Sequence, residues 1–137
     1  MDVQEVRKLD AYLKKLFGNA RIRVVPQPRN AKSAEVYIGE ERVGDLNIDD
    51  EDDDLSYNFR MEIDVGEVSE IDQIKRLDAY LKRKFDNEAI RVVPRARKRD
   101  SLEAYLGDEF IGVIFVDDEK RRRLYILELP ILDMDLA

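Results

Sequence analysis

The chain contains the same stretch twice, and this repeat limits its possible folds more than any other feature. Leu9-Asp-Ala-Tyr-Leu-Lys14 returns as Leu77-Asp-Ala-Tyr-Leu-Lys82, and Ile22-Arg-Val-Val-Pro26 returns as Ile90-Arg-Val-Val-Pro94. The offset is 68 residues and runs without a gap through most of each half. About 25 of some 60 aligned positions are identical, too many for chance at a fixed period. The sequence therefore predicts a duplicated module, with one unit at residues 1–66 and a second at 67–137.

Each half places one amphipathic helix before four stretches of strand character. In the first half, Leu9, Leu13 and Phe17 recur at helical spacing, and Gly18-Asn19 ends the pattern. The stretches that follow alternate apolar and polar residues. They are Arg21–Val25, Ser33–Ile38, Arg42–Ile48 and Leu55–Ile63, then about 89–93, 102–106, 109–116 and 123–131. Short connections favour antiparallel meander sheets. We therefore expect an α+β fold of two tandem αββββ units, each with one packed helix, related by a pseudo-twofold axis.

Units of about 65 residues are near the lower limit for a core that supports itself, so we expect the halves to pack together or on a second chain. The apolar stripes of the helices and strands supply the predicted core. Its members are Leu9, Leu13, Phe17, Val36, Ile38, Phe59 and Met61 in unit one, and Leu77, Leu81, Phe85, Leu102, Leu106, Leu127 and Leu129 in unit two. The last residues, 133–137, are expected to fray.

The motifs also resemble a known family. Leu-x-x-Tyr-Leu, Phe-x-Asn, Ile-Arg-Val-Val-Pro and Ser-x-Glu-x-Tyr-x-Gly, followed by Leu55-Ser-Tyr-Asn-Phe59, are similar to a family of short uncharacterised proteins associated with alphaproteobacteria, a domain of unknown function that usually occurs as a single copy. The second half departs from the last motif as Arg123-Leu-Tyr-Ile-Leu127. The resemblance implies a tandem duplication and, if single-copy members dimerise, such a dimer fused into one chain. It implies no activity and no site residues.

The composition argues against most catalytic chemistry. The chain has neither cysteine nor histidine, so thiolate nucleophiles, imidazole bases and the usual zinc ligands are absent. Its six glycines are isolated and form no phosphate-binding loop. We expect no enzyme activity and no cofactor, although a carboxylate-based enzyme stays open as a third hypothesis.

Membrane insertion and export are not expected either. No apolar run approaches the roughly 20 residues that span a bilayer, and the acidic start Met1-Asp-Val-Gln-Glu does not resemble a signal peptide. The prediction is a cytoplasmic protein with no membrane partner.

The acidic run Asp49–Asp54 invites a calcium interpretation. Asp49, Glu51 and Asp53 match the first ligand positions of an EF-hand loop, but the required glycine falls on Asp54 and the final glutamate on Arg60. The run is therefore expected to be a hydrated hairpin tip, and no metal site is predicted.

The two copies differ on the outer face of their third and fourth strands. Unit one places mostly polar residues there: Val43, Asp45, Asn47, Ser56, Asn58 and Arg60. Unit two places mostly apolar ones, which form the predicted interface: Ile111, Val113, Phe115, Leu124 and Ile126. A face this apolar is not expected to stay in water. Either a second chain covers it or another element of the same chain does.

The charged loops differ as well. In a meander, the loops after the first and third strands lie at one end of the sheet. In unit two this end gathers the predicted binding site for an anion or acidic partner: Arg95, Arg97, Lys98, Arg99, Lys120, Arg121, Arg122 and Arg123. In unit one it carries Arg29 and Lys32 but also the run Asp49–Asp54.

These surfaces favour a non-catalytic protein-interaction or oligomerisation module, which binds a protein partner or itself through the apolar face and the oppositely charged loops. The alternative is a nucleic-acid-binding module that uses the basic end of unit two. A net charge of −7 and the lack of aromatic residues among those basic residues argue against nucleic acid.

Overall fold

The computed structural model describes residues 1–50, 55–66, 69, 72–95, 101–117 and 124–136. They divide into two compact units. From here on, unit 1 and unit 2 mean these structural units, and the two halves of the sequence are called the first and second repeat. Unit 1 comprises residues 1–61 together with 130–137, and unit 2 comprises residues 62–129. The C-terminal end of the second sequence repeat is thus part of the unit that begins the chain.

Each repeat contains one helix and four strands, as the sequence predicts. The first repeat has α1 (Val3–Phe17), β1 (Ile22–Pro26), β2 (Ser33–Ile38), β3 (Glu41–Asp49) and β4 (Ser56–Ile63). The second has α2 (Gln73–Phe85), β5 (Ile90–Pro94), β6 (Ser101–Leu106), β7 (Glu109–Asp117) and β8 (Leu124–Leu132). Consecutive strands of each repeat pair antiparallel, in the order β1-β2-β3-β4 and β5-β6-β7-β8. The α+β fold with two repeated units is confirmed.

The helices begin and end differently in the two repeats. Asp2 and Glu5 form a capping box at the start of α1, and Gly18 ends it with a φ of 60°. At the start of α2, Asp72 makes no side-chain capping bond, and the end is formed by Asp86 with a φ of 52°. In the described part of the chain, neither helix has the length and apolar character needed to cross a membrane.

Apolar side chains from the helix and strands form the core of each unit. Leu9, Leu13 and Phe17 of α1 are buried, and α1 packs on β1. Every predicted core residue is buried except Leu106, which is half-buried. Leu106 is the last residue of β6, where the sheet gives way to the turn at Gly107. The core is therefore the one that the apolar spacing predicts.

A carboxylate in each helix also ties that helix to the neighbouring edge strand. Asp10 accepts a hydrogen bond from the backbone N–H of Val24 at 3.0 Å and pairs with Lys14. Asp78 accepts from the backbone N–H of Val92 at 3.1 Å and pairs with Lys82. β1 and β5 each lie at an end of the strand order, so one side of each strand has no neighbouring strand among the residues that the structure describes. The carboxylates accept hydrogen bonds from backbone N–H groups on that side.

The predicted fraying of residues 133–137 is wrong for the four residues that the structure describes. Asp133–Leu136 form a short 3-10 helix, here called the tail, which packs against α1 in unit 1. The backbone N–H of Asp133 donates to the carbonyl of Leu55 at 3.2 Å. This hydrogen bond and the contact with α1 hold the tail, and neither follows from its local sequence.

Candidate interaction surface

The outer face of each sheet, opposite the helix, carries a cluster of Arg, Glu and Tyr. In unit 1 the Tyr37 hydroxyl donates to Glu35 at 2.9 Å, and the Arg23 guanidinium lies 5.0 Å from the Tyr37 ring centre. The hydrogen bond to the carboxylate is the main cause that raises the tyrosine pKa. The corresponding residues of unit 2 form the same cluster: Arg91, Glu103 and Tyr105. Sequence reasoning missed this cluster, although its members are identical in the two copies.

On unit 1, polar contacts extend from this cluster across β3. Arg42 lies 3.7 Å from both Glu35 and Asp45, and Ser33 donates to Asn47 at 2.6 Å. The amide of Asn47 in turn donates to Asp45 at 3.3 Å. The outer face of unit 1 is therefore polar, and its polar groups bond to one another.

Ile111 does not lie on the outer face with the other predicted interface residues. Phe110 pairs with Tyr105 and contacts its ring, so both residues lie on the outer face. Gly112 pairs with Ala104, the residue before Tyr105, and so lies on the opposite face. Ile111 is the extra residue of a β-bulge and is buried, as is Val43 in the matching bulge of unit 1. The predicted alternation fails here because a bulge shifts the pattern by one residue.

A glycine follows each of these bulged residues because another strand passes too close for a side chain. A Cβ on Gly44 would lie 2.4 Å from the carbonyl oxygen of Arg60, and one on Gly112 would lie 2.5 Å from that of Glu128. Backbone atoms of a paired strand cannot move aside without breaking the ladder. The glycines thus fix the bulge and, with it, which residues of β3 and β7 face outward.

The remaining predicted interface residues form an apolar patch on the outer side of β7 and β8, here called the apolar face. Phe115 pairs directly with Ile126 and is 40% exposed. Val113, Leu124 and Ile126 are half-buried. The structure thus brings together Val113, Phe115, Leu124 and Ile126. Unit 1 has polar residues at the corresponding positions: Asp45, Asn47, Ser56 and Asn58.

Most of the predicted basic site falls on residues 96–100 and 118–123, which lie outside the described residues. These are Arg97, Lys98, Arg99, Lys120, Arg121, Arg122 and Arg123. Arg95 is described, and its guanidinium donates to Ser101 at 3.1 Å and lies 3.9 Å from Glu103. Arg95 is therefore tied to the outer sheet face.

The acidic loop of unit 1 is described only in part, because residues 51–54 lie outside the described residues. At its start Asp50 pairs with Lys32 at 3.2 Å, and both side chains are exposed. Among the residues that the structure describes, no group of three Asp or Glu side chains is placed to hold a metal ion.

Each unit contains a buried tyrosine, and its hydroxyl has a different hydrogen-bond partner in the two units. Tyr57 donates to Glu5 at 2.6 Å, and burial together with this hydrogen bond raises the tyrosine pKa well above its ordinary value. The other oxygen of Glu5 accepts the backbone N–H of Asp2. In unit 2, Tyr125 donates to Gln73 at 3.1 Å. Glu5 thus joins the helix start to the core of unit 1 through an ionisable group, whereas unit 2 uses a neutral one.

Comparison with known proteins identifies a family and no activity. No curated protein matches the chain, and no solved structure matches it. A family model described as "Protein of unknown function (DUF3126)" matches twice, at residues 5–65 and 73–135. Both matches contain one helix and the antiparallel strands of one repeat. The chain therefore belongs to the DUF3126 family, of which it carries two tandem copies.

Proposed function

We propose that this protein is a non-catalytic interaction module that self-associates through the apolar face of unit 2. The observation that carries the proposal is the apolar face itself. Phe115 is 40% exposed there, beside the half-buried Val113, Leu124 and Ile126. Removing an apolar surface of this kind from water is favourable, so its burial against a partner stabilises the association.

The favoured partner is the same face of a second copy. A twofold dimer sets one patch against itself, so an apolar patch is automatically matched to its partner in polarity. The polar residues around it, Glu103 and Tyr105, already bond to each other and need no partner group. The outer face of unit 1 fits poorly, because packing against it would remove Asp45 from water without a new hydrogen bond.

The size of the face predicts a weak dimer. Strands lie about 4.8 Å apart and rise about 3.3 Å per residue, so the two strands of the apolar face, at about six residues each, cover on the order of 200 Å². Stable interfaces bury about 800 Å² per partner. We therefore expect self-association with a dissociation constant in the micromolar range.

The test replaces residues of the apolar face with those that unit 1 carries at the same positions. Phe115→Asn and Ile126→Asn reproduce Asn47 and Asn58. Sedimentation equilibrium from about 5 to 500 µM covers the weak range expected for a small interface. The unmodified chain should dimerise over this range, and the double variant should stay monomeric with an unchanged circular dichroism spectrum.

A matched control removes an exposed apolar residue elsewhere. Val3 on α1 is 66% exposed, and Val3→Ser should leave the dimer intact. The proposal is refuted if the unmodified chain is monomeric throughout, or if the control weakens association as much as the double variant.

The nucleic-acid alternative stays a prediction from the sequence. Seven of its eight basic residues lie outside the described residues, and Arg95 is already bound to Ser101 and Glu103.

A further inference from the structure

The two strands at the ends of the strand order, β1 and β5, have the same sequence, Ile-Arg-Val-Val-Pro. On one side, β1 pairs with β2 and β5 pairs with β6. On the other side, which we call the edge, a further strand can pair only with N–H and C=O groups that are still free. Every second residue of an antiparallel strand directs both of these groups to the same side. The state of those residues therefore decides whether a strand can be added.

In unit 1, each of the N–H positions along the edge of β1 is either bonded or lacks a hydrogen. The N–H of Val24 points to the edge, because it donates to Asp10 of α1 at 3.0 Å. Its alternate neighbours, Ile22 and Pro26, therefore face the edge as well. The N–H of Ile22 donates to the carbonyl of Asn19 at 3.3 Å, and proline has no N–H. These three positions of β1 offer carbonyl oxygens to a further strand but no donor.

Unit 2 closes its edge with the same residue types. The N–H of Val92 donates to Asp78 of α2 at 3.1 Å, and the N–H of Ile90 donates to the carbonyl of Asn87 at 3.4 Å. Pro94 occupies the third position and has no N–H. The Asp, the Asn and the Pro that close each edge are identical in the two aligned copies. The same three closures thus occur on both edges.

The aspartate differs from the other two closures because it comes from a helix and not from the edge strand or the turn before it. Its removal frees one N–H at the centre of the edge, beside the carbonyl oxygen of the same valine. Two antiparallel strands that meet at such a residue exchange a pair of hydrogen bonds, from N–H to C=O in both directions. One freed valine on each of two copies is therefore sufficient to start strand pairing, and the Ile and Val residues around it favour a strand.

We propose that Asp10 and Asp78 are plugs that close two strand-addition surfaces, the edges of β1 and β5, whose fitting partner is the same edge of a second copy. A second copy fits because the two edges have one sequence, so each edge matches itself and the other. A chain with both edges open adds copies at each of them without limit. The plugs keep copies from joining edge to edge. This inference does not depend on self-association through the apolar face.

The test opens the edges one at a time in a chain that already carries Phe115→Asn and Ile126→Asn, so that the apolar face makes no contribution. Sedimentation velocity from about 5 to 500 µM follows the weight-average mass, which is 16.1 kDa for one chain. With Asp78→Ala the mass should rise with concentration toward twice this value and not beyond it. With Asp10→Ala added, both edges are open, and the mass should exceed twice the value and keep rising.

Two controls separate the opening of an edge from the loss of charge and the loss of stability. Asp10→Asn together with Asp78→Asn keeps an oxygen acceptor for each valine N–H while it removes the charge, and the mass should stay at 16.1 kDa. Gly112→Ala places a Cβ 2.5 Å from the carbonyl oxygen of Glu128 and so destabilises the chain without opening an edge. This variant should also keep the mass of one chain.

The proposal is overturned if the chain with both alanine substitutions keeps the mass of one chain at every concentration. It is also overturned if the asparagine variant or Gly112→Ala associates as strongly as the alanine variants, because charge or stability would then be the cause. Asp10→Ala alone opens only the edge of β1 and should stop at twice the mass. Either single alanine variant, with its circular dichroism spectrum unchanged, therefore decides the question if the double variant does not fold.

Discussion

Replacing Asp10 with alanine should destabilise unit 1 by an amount that the contacts of its carboxylate determine. One oxygen accepts from the backbone N–H of Val24 at 3.0 Å, and the other pairs with Lys14 one turn along α1. Val24 is buried, so its donor would have no partner within unit 1 after the substitution. The carboxylate thus satisfies a backbone group at the edge of the sheet as well as a side chain.

The magnitude has three contributions. Losing a hydrogen bond to a charged acceptor costs about 1.5–3 kcal/mol. Losing a half-exposed ion pair with Lys14 costs about 0.3–0.5 kcal/mol. Alanine gains about 0.6 kcal/mol of helix propensity over aspartate. The net expectation for Asp10→Ala is a loss of about 1.2–2.9 kcal/mol in the free energy of unfolding.

Urea denaturation followed by circular dichroism measures this loss. With a denaturant slope near 2 kcal/mol per molar, the midpoint should fall by about 1 M. Lys14→Ala removes the ion pair alone and should shift it by less than about 0.3 M. Asp78→Ala repeats the experiment on unit 2, where the carboxylate accepts from Val92 at 3.1 Å. If Asp10→Ala costs no more than Lys14→Ala, the hydrogen bond to the edge strand contributes nothing and the reasoning fails.

Three further changes test the fold. Gly112→Ala should lower stability by about 2 kcal/mol or more in urea denaturation, since its Cβ would lie 2.5 Å from the carbonyl oxygen of Glu128; an unchanged midpoint would contradict the close approach. Below pH 10 the Tyr57 hydroxyl is protonated in both the folded and the unfolded chain, so it should not make the free energy of unfolding depend on pH. Above pH 10 the unfolded chain releases this proton while the folded chain keeps it, because the pKa of Tyr57 is raised in the folded state, and the free energy of unfolding should therefore fall. Tyr57→Phe should flatten this alkaline decline, measured as the urea midpoint against pH. Asp86→Gly should raise the thermal midpoint and stabilise by about 0.5–1 kcal/mol, because Asp86 has a φ of 52°.

The sequence was sufficient for the elements and most of the core. Leu9, Leu13 and Phe17 recur at helical spacing and are buried. Val36 and Ile38, which alternate with polar residues along β2, are buried as well. Such periodicity follows from the backbone geometry of helices and strands, so each segment carries its own signal. The helix and strands of the second half were predicted from the repeat, because aligned positions are expected to form the same elements.

The candidate site was only partly predictable. The contrast between Phe115 and its counterpart Asn47 can be read from the aligned copies, so the apolar face was found. Ile111 was misplaced because a bulge depends on how closely β8 passes Gly112, which is a contact between strands. The Arg91–Tyr105 contact was missed for a similar reason, since the two residues are far apart in the chain and meet only through strand pairing.

The sequence by itself determined the duplicated αββββ order and which residues each helix and strand would bury, because these depend on local periodicity and repeat at a fixed offset. The tertiary structure decided the role of Asp10, the place of Ile111 and the position of the tail on α1. Each of these depends on a contact between segments distant in the chain, such as the 3.2 Å hydrogen bond from Asp133 to Leu55. Local pattern carries no information about which distant backbone group will be within reach, and only the folded arrangement supplies it.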